Sequence, residues 1–231
     1  MEDSKRNDFV FWKIFQKYAI IPIASGIFFH TLLYFFSAHI VNYFELHKTN
    51  VVCSIDSFIP QISFFVVPYC FFYIYIALGP FCIAYYDKKI FYRYFFSFEI
   101  GSIIGFLFFI IYPTYVERSS FDVINIFDHF LLFIHSHDVS GNAFPSFHCF
   151  VAWLIYVALR NCCVSSKIKY CFFVISFLIC ISTVFTKQHG YIDILGGFFL
   201  AEIIWRITKN STIVDFLNRF FTKINEKFGL Q

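Results

Sequence analysis

The chain has 231 residues, of which 59% are hydrophobic, 24% aromatic and only 14% charged. Soluble domains carry about 25% charged residues, so this composition excludes a water-soluble globule. The net charge of +3 is spread in short basic clusters between apolar runs, which excludes a basic nucleic-acid-binding face. The length suits one domain, and apolar runs of roughly 17–25 residues, enough to cross a bilayer, set its class.

In chain order, Met1 to Lys17 is basic and polar with Phe9, Phe11, Trp12, Ile14 and Phe15 interleaved, the pattern of an amphipathic segment on a membrane surface. A first span is expected over Tyr18 to Val41; it lacks a small-residue cleavage site, so it reads as an anchor rather than a cleaved signal. A polar loop follows, with Glu45, His47, Lys48 and Asp56. The second span covers Ile62 to Tyr85 and ends at the basic turn Asp87-Lys88-Lys89. The third covers Tyr94 to Tyr112 and contains Glu99. The longest polar connection, Pro113 to Pro145, includes a stretch with helical apolar spacing at Val123 to Ile134, expected as an interfacial helix. The fourth span opens at Pro145-Ser146 and runs to Leu159, the fifth covers Ile168 to Phe185 and the sixth Tyr191 to Ile207. A basic amphipathic tail completes the chain. The expected architecture is all-α: a polytopic bundle of about six transmembrane helices over residues 18–208, flanked by segments 1–17 and 209–231.

Lys and Arg set orientation, because they accumulate on the cytoplasmic side. With six spans, all 18 of them except Lys48, Arg118 and Lys187 fall on one side. That side, with both termini, is expected to be cytoplasmic, and the 113–145 loop and the Lys187-Gln188-His189 turn face outward. Most of the eight cysteines sit inside apolar runs without metal-ligand spacing and read as small buried hydrophobes. Cys162 and Cys163, beside a helix end, read as packing residues rather than lipidation sites.

Ionisable groups at membrane depth are functional candidates by default. His148 lies at the start of the fourth span and His189 at the start of the sixth; the chain between them runs in once and out once, so both share one face of the membrane. Asp193 follows His189 by four residues and lies on the same helix face. Two histidines and a carboxylate suit covalent phosphoryl transfer: one imidazole attacks phosphorus, the carboxylate fixes its tautomer, and the second histidine protonates the leaving oxygen. Phosphate-oxygen donors are expected from Asn142, Ser146, Lys187 and Arg118, and from the helix start behind Pro145, read as an early helical residue. His30 and His39 lack sequence partners and read as structural. His135-Ser136-His137-Asp138 reads as a solvated loop rather than a metal site.

These segments resemble the type-2 phosphatidic acid phosphatase superfamily. Asn142-Ala-Phe-Pro-Ser-Phe-His148 is similar to its Pro-Ser-x-His motif, and Ser182-Thr-Val-Phe-Thr-Lys-Gln-His189-Gly-Tyr-Ile-Asp193 to its His-x-x-x-Asp motif. The resemblance implies His189 as nucleophile, Asp193 as its orienting partner, His148 as general acid, and a six-helix enzyme needing no metal or other cofactor. Ile55 to Pro60, Pro68-Tyr69 and Tyr112-Pro113-Thr114 resemble the branch that includes inositol phosphorylceramide synthases. Three positions depart from the superfamily pattern. Phe147 stands where Gly is usual, Thr183 where an Arg is usual, and the Lys-x6-Arg-Pro motif is absent, leaving Lys187 and Arg118 as stand-ins. The expected partner is a lipid phosphate or phospholipid, with water or a lipid hydroxyl as acceptor, and no nucleic acid. A transporter with a His/Asp proton relay, or a lipid-binding scaffold, is the rival reading.

Overall fold

The computed structural model describes residues 15–118, 120–138, 141–210 and 212–230. Most of the expected surface segment 1–17 lies outside them. The described residues form an all-α membrane bundle of α1 (Ile20–Tyr43), α2 (Val66–Tyr86), α3 (Lys88–Ile111), α4 (Ile126–His137), α5 (Phe147–Asn161), α6 (Ser166–Phe185), α7 (Tyr191–Ile207) and α8 (Thr212–Lys227).

All six expected apolar helices are present, but among the described residues only four segments are long and apolar enough to cross a membrane: Lys17–Tyr43, Ser63–Tyr86, Lys88–Ile111 and Ser166–Phe185. At 15 and 17 residues, α5 and α7 rise only about 22–26 Å at 1.5 Å per residue. For α5 the shortness has a packing reason. α5 is the hub of the bundle, touching α2, α3, α6 and α7, and a helix enclosed by other helices need not match the hydrocarbon thickness. Its residues from Cys149 to Ala152 and from Val157 to Leu159 are buried. The outer helices turn aromatic and aliphatic side chains outward instead, as Phe28, Phe35, Phe64, Tyr73 and Phe199 do, which is the surface a bilayer would cover.

Boundaries shifted where a capping side chain overrode the hydropathy pattern. Lys88 and Lys89 belong to the first turn of α3 rather than to a turn, because Asp87 caps that helix by accepting from the Ile90 amide at 2.9 Å. α4 starts later than expected, at Ile126. Asn125 Oδ1 accepts from the Phe127 and Asp128 amides, and Asp128 Oδ2 accepts from the Asn125 amide, closing a capping box. The tail is helical as α8, and its Val214–Phe221 face is docked on α3, with Phe221 against Tyr92 and Phe95.

The two ends of the bundle differ. At one end, Tyr18 donates to the Ala84 carbonyl at 2.7 Å, Asn225 donates to the Tyr18 carbonyl at 2.9 Å, and Arg93 lies over the Trp205 ring and donates to its carbonyl. This gathers the start of α1, the α2–α3 junction, the end of α7 and α8, with their basic residues. At the other end the loops after α1, α3 and α4 are tied by two short strands that hydropathy did not reveal. β1 (Thr49–Asn50) and β2 (Thr114–Tyr115) pair in parallel, Thr49 facing Thr114, and Tyr115 bridges to Gly141. Candidate catalytic groups lie at this second end.

Close approach of α7 to α5 depends on Gly197. A Cβ there would stand 2.7 Å from the Ser146 carbonyl oxygen and 2.8 Å from both Cys149 Cβ and the Phe150 nitrogen. These are mostly backbone atoms, which cannot rotate away. Gly197→Ala is therefore expected to cost about 2–3 kcal/mol through overpacking; a fall in thermal midpoint of the purified protein checks it, and an unchanged midpoint would refute the tight α5–α7 seam.

Candidate active site

α5 begins at Phe147, with Ser146 as its N-cap: the Ser146 hydroxyl accepts from the Cys149 amide at 3.3 Å. Pro145 thus precedes the cap instead of occupying the first helical position, which corrects the sequence expectation. The Ser146 amide donates to the Asp193 carbonyl at 3.2 Å, locking the start of α5 to the first turn of α7.

The bulky Phe147 is accommodated by Gly105 of α3, where a Cβ would meet the Phe147 ring at 2.1 Å. Its ring packs on His30 and Phe109, at centroid distances of 4.6 and 5.6 Å. One residue on, His148 points the other way. Its ring is held between Tyr69 and Phe72, at 4.9 and 4.5 Å, and its centroid lies 5.6 Å from that of His189. Its Nε2 is buried and has no hydrogen-bond partner among the described residues.

His189 is delivered by the turn that closes α6. The Thr183 carbonyl accepts from both the Gln188 and His189 amides, at 2.9 and 3.0 Å, and Lys187 takes φ +55° to make the reversal. Asp193 then reaches back one turn of α7. Its Oδ2 accepts from the Gly190 amide at 2.8 Å and lies 3.4 Å from His189 Nδ1. The same Nδ1 lies 3.1 Å from the Ala143 carbonyl oxygen. Both neighbours of Nδ1 are acceptors, so Nδ1 carries the proton and, in the neutral ring, Nε2 has the lone pair. Burial by itself pushes the His189 imidazole down, but the hydrogen bond and charge of Asp193 outweigh it, leaving the pKa raised above the ordinary value. Asp193 is fully buried, and its Oδ1 has no hydrogen-bond partner among the described residues.

His148 and His189 line a cavity of about 300 Å³. Its walls come from α1 (His30, Tyr34), α2 (Phe72, Tyr73) and the segment before α5 (Asp138, Asn142), with Gln188 beside His189. Much of the lining is aromatic or aliphatic, the character expected of a site for an apolar ligand with one polar end.

Of the sequence-derived candidates, His148, His189 and Asn142 line this cavity, and Asp193 stands behind His189. Asn142 adopts φ +56° and donates from its side chain to Ser37 Oγ at 3.1 Å. Ser146 is fully buried in its capping role. Lys187 turns away from the cavity: its ammonium donates to the Asp56 and Ile59 carbonyls, at 3.0 and 2.6 Å, and so fastens the 56–59 loop. Arg118 stands behind the cavity wall, donating to the His135 and Asp138 carbonyls and to Gln188 Oε1. Neither cation is among the lining residues.

The structure adds groups to which the sequence reading gave no role. Asp56 is buried; its two oxygens accept from the Cys53 amide at 2.8 Å and the Tyr191 amide at 2.7 Å, anchoring the loop after α1 to the start of α7 beside His189. Asp138 lines the cavity and pairs with Arg118 at 3.6 Å. His30, read as structural, meets Ser102 at 3.2 Å and also faces the cavity. His135 and His137 are taken up by the Thr186 and Phe133 carbonyls, each at 2.8 Å. Only adjacency to His189 marked Gln188 in the sequence, and nothing marked Asp56 beyond the family-like stretch around it.

Comparison with known proteins adds one finding. No curated protein and no solved structure matches this chain. A family model described as the PAP2 superfamily matches residues 54–207, a region that takes in α2 through α7 and the candidate groups His148, His189 and Asp193. The chain belongs to the PAP2 superfamily, whose members are generally phosphatases and phosphotransferases.

Proposed function

We propose that this protein is a membrane-embedded lipid phosphatase or phosphotransferase that works through a phosphohistidine at His189. The observation that carries the reading is His189 Nδ1 between two acceptors, the Ala143 carbonyl and the Asp193 carboxylate, with His148 facing the same cavity. That arrangement leaves the Nε2 lone pair as nucleophile.

In the first step His189 Nε2 forms a bond to phosphorus while the bond from phosphorus to the departing oxygen breaks, and His148, protonated, gives that oxygen its proton. In the second step His148, now neutral, takes a proton from the acceptor hydroxyl, whose oxygen displaces His189 from phosphorus. Asp193 stabilises the positive charge on the His189 ring in between. Water as acceptor gives hydrolysis; a lipid hydroxyl such as that of ceramide or diacylglycerol gives transfer. The apolar walls on α1 and α2 suit a substrate whose acyl chains remain in the bilayer.

Orientation follows from charge. The end with Lys88, Lys89, Arg93 and α8 is cytoplasmic by the positive-inside bias, and the cavity opens toward the outer leaflet. The inositol phosphorylceramide synthase-like branch is a narrower form of this proposal, resting on Phe147 and the sequence from Ile55 to Tyr69. The discriminating experiment is incubation of the purified protein with a panel of labelled phospholipids, with and without ceramide or diacylglycerol. Free phosphate or a released phosphorylated headgroup identifies hydrolysis, and a lipid with a new headgroup identifies transfer. No turnover of any lipid would sink the enzyme reading in favour of a transporter or lipid-binding scaffold.

A further inference from the structure

A phosphoryl-transfer site needs donors for the non-reacting phosphate oxygens, yet the cavity lining contains no Lys or Arg. The position where the superfamily pattern has Arg holds Thr183, fully buried and bonded through Oγ1 to the Cys180 carbonyl at 2.8 Å. Lys187 is committed to the Asp56 and Ile59 carbonyls. The two terminal nitrogens of Arg118 are committed too: Nη1 serves the His135 and Asp138 carbonyls at 2.9 and 3.1 Å, and Nη2 serves Gln188 Oε1 at 2.5 Å and pairs with the Asp138 carboxylate, while its Nε, buried without a partner among the described residues, is not among the groups that line the cavity.

One side chain in the lining has a buried amide donor left without a partner among the described residues. Gln188 is 5% exposed, and its Nε2 is buried without a partner among the described residues. The orientation of its amide is settled by chemistry, because the guanidinium can only donate and the atom facing it must be the amide oxygen. The NH2 group is therefore the end left over, beside His189 and in the same cavity wall as His148, whose Nε2 is likewise unpartnered. Accepting from a cation also polarises the amide and strengthens its N–H donors.

We infer that Gln188 donates its amide N–H to a phosphoryl oxygen during transfer, and that Arg118 is a positioning residue acting through Gln188 rather than a direct phosphate clamp. The inference rests on the phosphoryl-transfer reading above. It specifies a neutral contact group polarised from behind by a cation, in place of the missing Arg.

The test uses the full-length protein and the best substrate from the phospholipid panel, with orthovanadate as a transition-state mimic. Gln188→Leu is expected to lower kcat/KM about 100-fold, chiefly in kcat, and to weaken vanadate inhibition by a similar factor. Gln188→Glu, nearly isosteric and still able to pair with Arg118, should lose more, since its second oxygen would face the phosphate; it covers the case in which the leucine variant fails to fold. Arg118→Met should reproduce the vanadate defect, and the Arg118/Gln188 double variant should be no worse than about twofold below the weaker single variant. Gln188 variants within about threefold of wild type in kcat and vanadate inhibition would overturn the inference, as would losses that multiply in the double variant. If His189→Ala is inactive while the Gln188 variants are not, the inference alone falls. If the wild type neither turns over lipid nor responds to vanadate, the parent reading falls with it.

Discussion

On the proposed function, replacing His189 with alanine is expected to reduce lipid turnover by about 10⁵-fold or more, to near the uncatalysed background, because a covalent pathway without its nucleophile has no second route. The turn should survive, at the cost of removing the His189 partner of the buried Asp193 carboxylate. His189 sits in a turn whose geometry comes from backbone bonds to the Thr183 carbonyl and from Asp193 capping the Gly190 amide, and these persist in the variant. The expected signature is a folded, inactive protein. Labelling the wild type with a phosphate-tagged lipid and quenching rapidly should trap an acid-labile, alkali-stable phosphoryl group on His189, absent from the variant. Retention of even 10% of turnover by His189→Ala would remove His189 from the nucleophile role, whatever the fate of the enzyme reading.

Asp193→Asn is expected to lower plateau turnover about 10³–10⁴-fold, by analogy with loss of the orienting carboxylate in hydrolytic triads, and also to displace the pH profile. In the proposed mechanism His189 must be neutral to attack. In the wild type the carboxylate favours the imidazolium, so the His189 pKa lies above the ordinary value and activity should fall as pH drops through that raised value. Without the negative charge, burial becomes the dominant influence and pushes the pKa down, so the acidic limb should move to lower pH. The sign for stability follows from the same linkage. His189 contributes stability that is fully present below its unfolded-state pKa and lost as pH rises through the raised folded value, so the wild type's advantage over Asp193→Asn should shrink with increasing pH. Asparagine can still accept from the Gly190 amide through its Oδ1, which separates loss of charge from loss of the cap. A pH–rate profile of both proteins reads the shift; an acidic limb that stays in place would show that Asp193 does not set the His189 titration.

The membrane class, the existence of six apolar helices and the His148–His189–Asp193 grouping were legible in the amino-acid order. Long apolar runs leave a chain no other solvent, the i,i+4 spacing of His189 and Asp193 puts them on one helix face, and the two apolar helices between His148 and His189, α5 and α6, run out and back and return both to one end of the bundle. α5 was legible as a helix but not as the hub, since hydropathy cannot distinguish a helix enclosed by helices from one bathed in lipid. Caps moved the remaining boundaries. Asp87 acts through one side-chain hydrogen bond and Asn125 through a capping box, local contacts that an averaged hydropathy window does not resolve.

The shell around the candidate catalytic groups was decided only by the tertiary structure. Lys187 and Arg118 had the right charge and lay on the right loops, but a long cationic side chain can reach several acceptors, and the backbone carbonyls that claim these two come from segments distant in sequence: residues 56 and 59 for Lys187, and residues 135 and 138 for Arg118. Asp56 and Gln188 gained their positions by the same kind of long-range contact, 135 residues to Tyr191 in one case and 70 residues to Arg118 in the other. Local spacing determines which groups share a helix face. Which partner satisfies each polar group depends on how the loops fold over that face, and hydrogen-bond demand in a buried setting makes that choice only once the whole bundle is assembled.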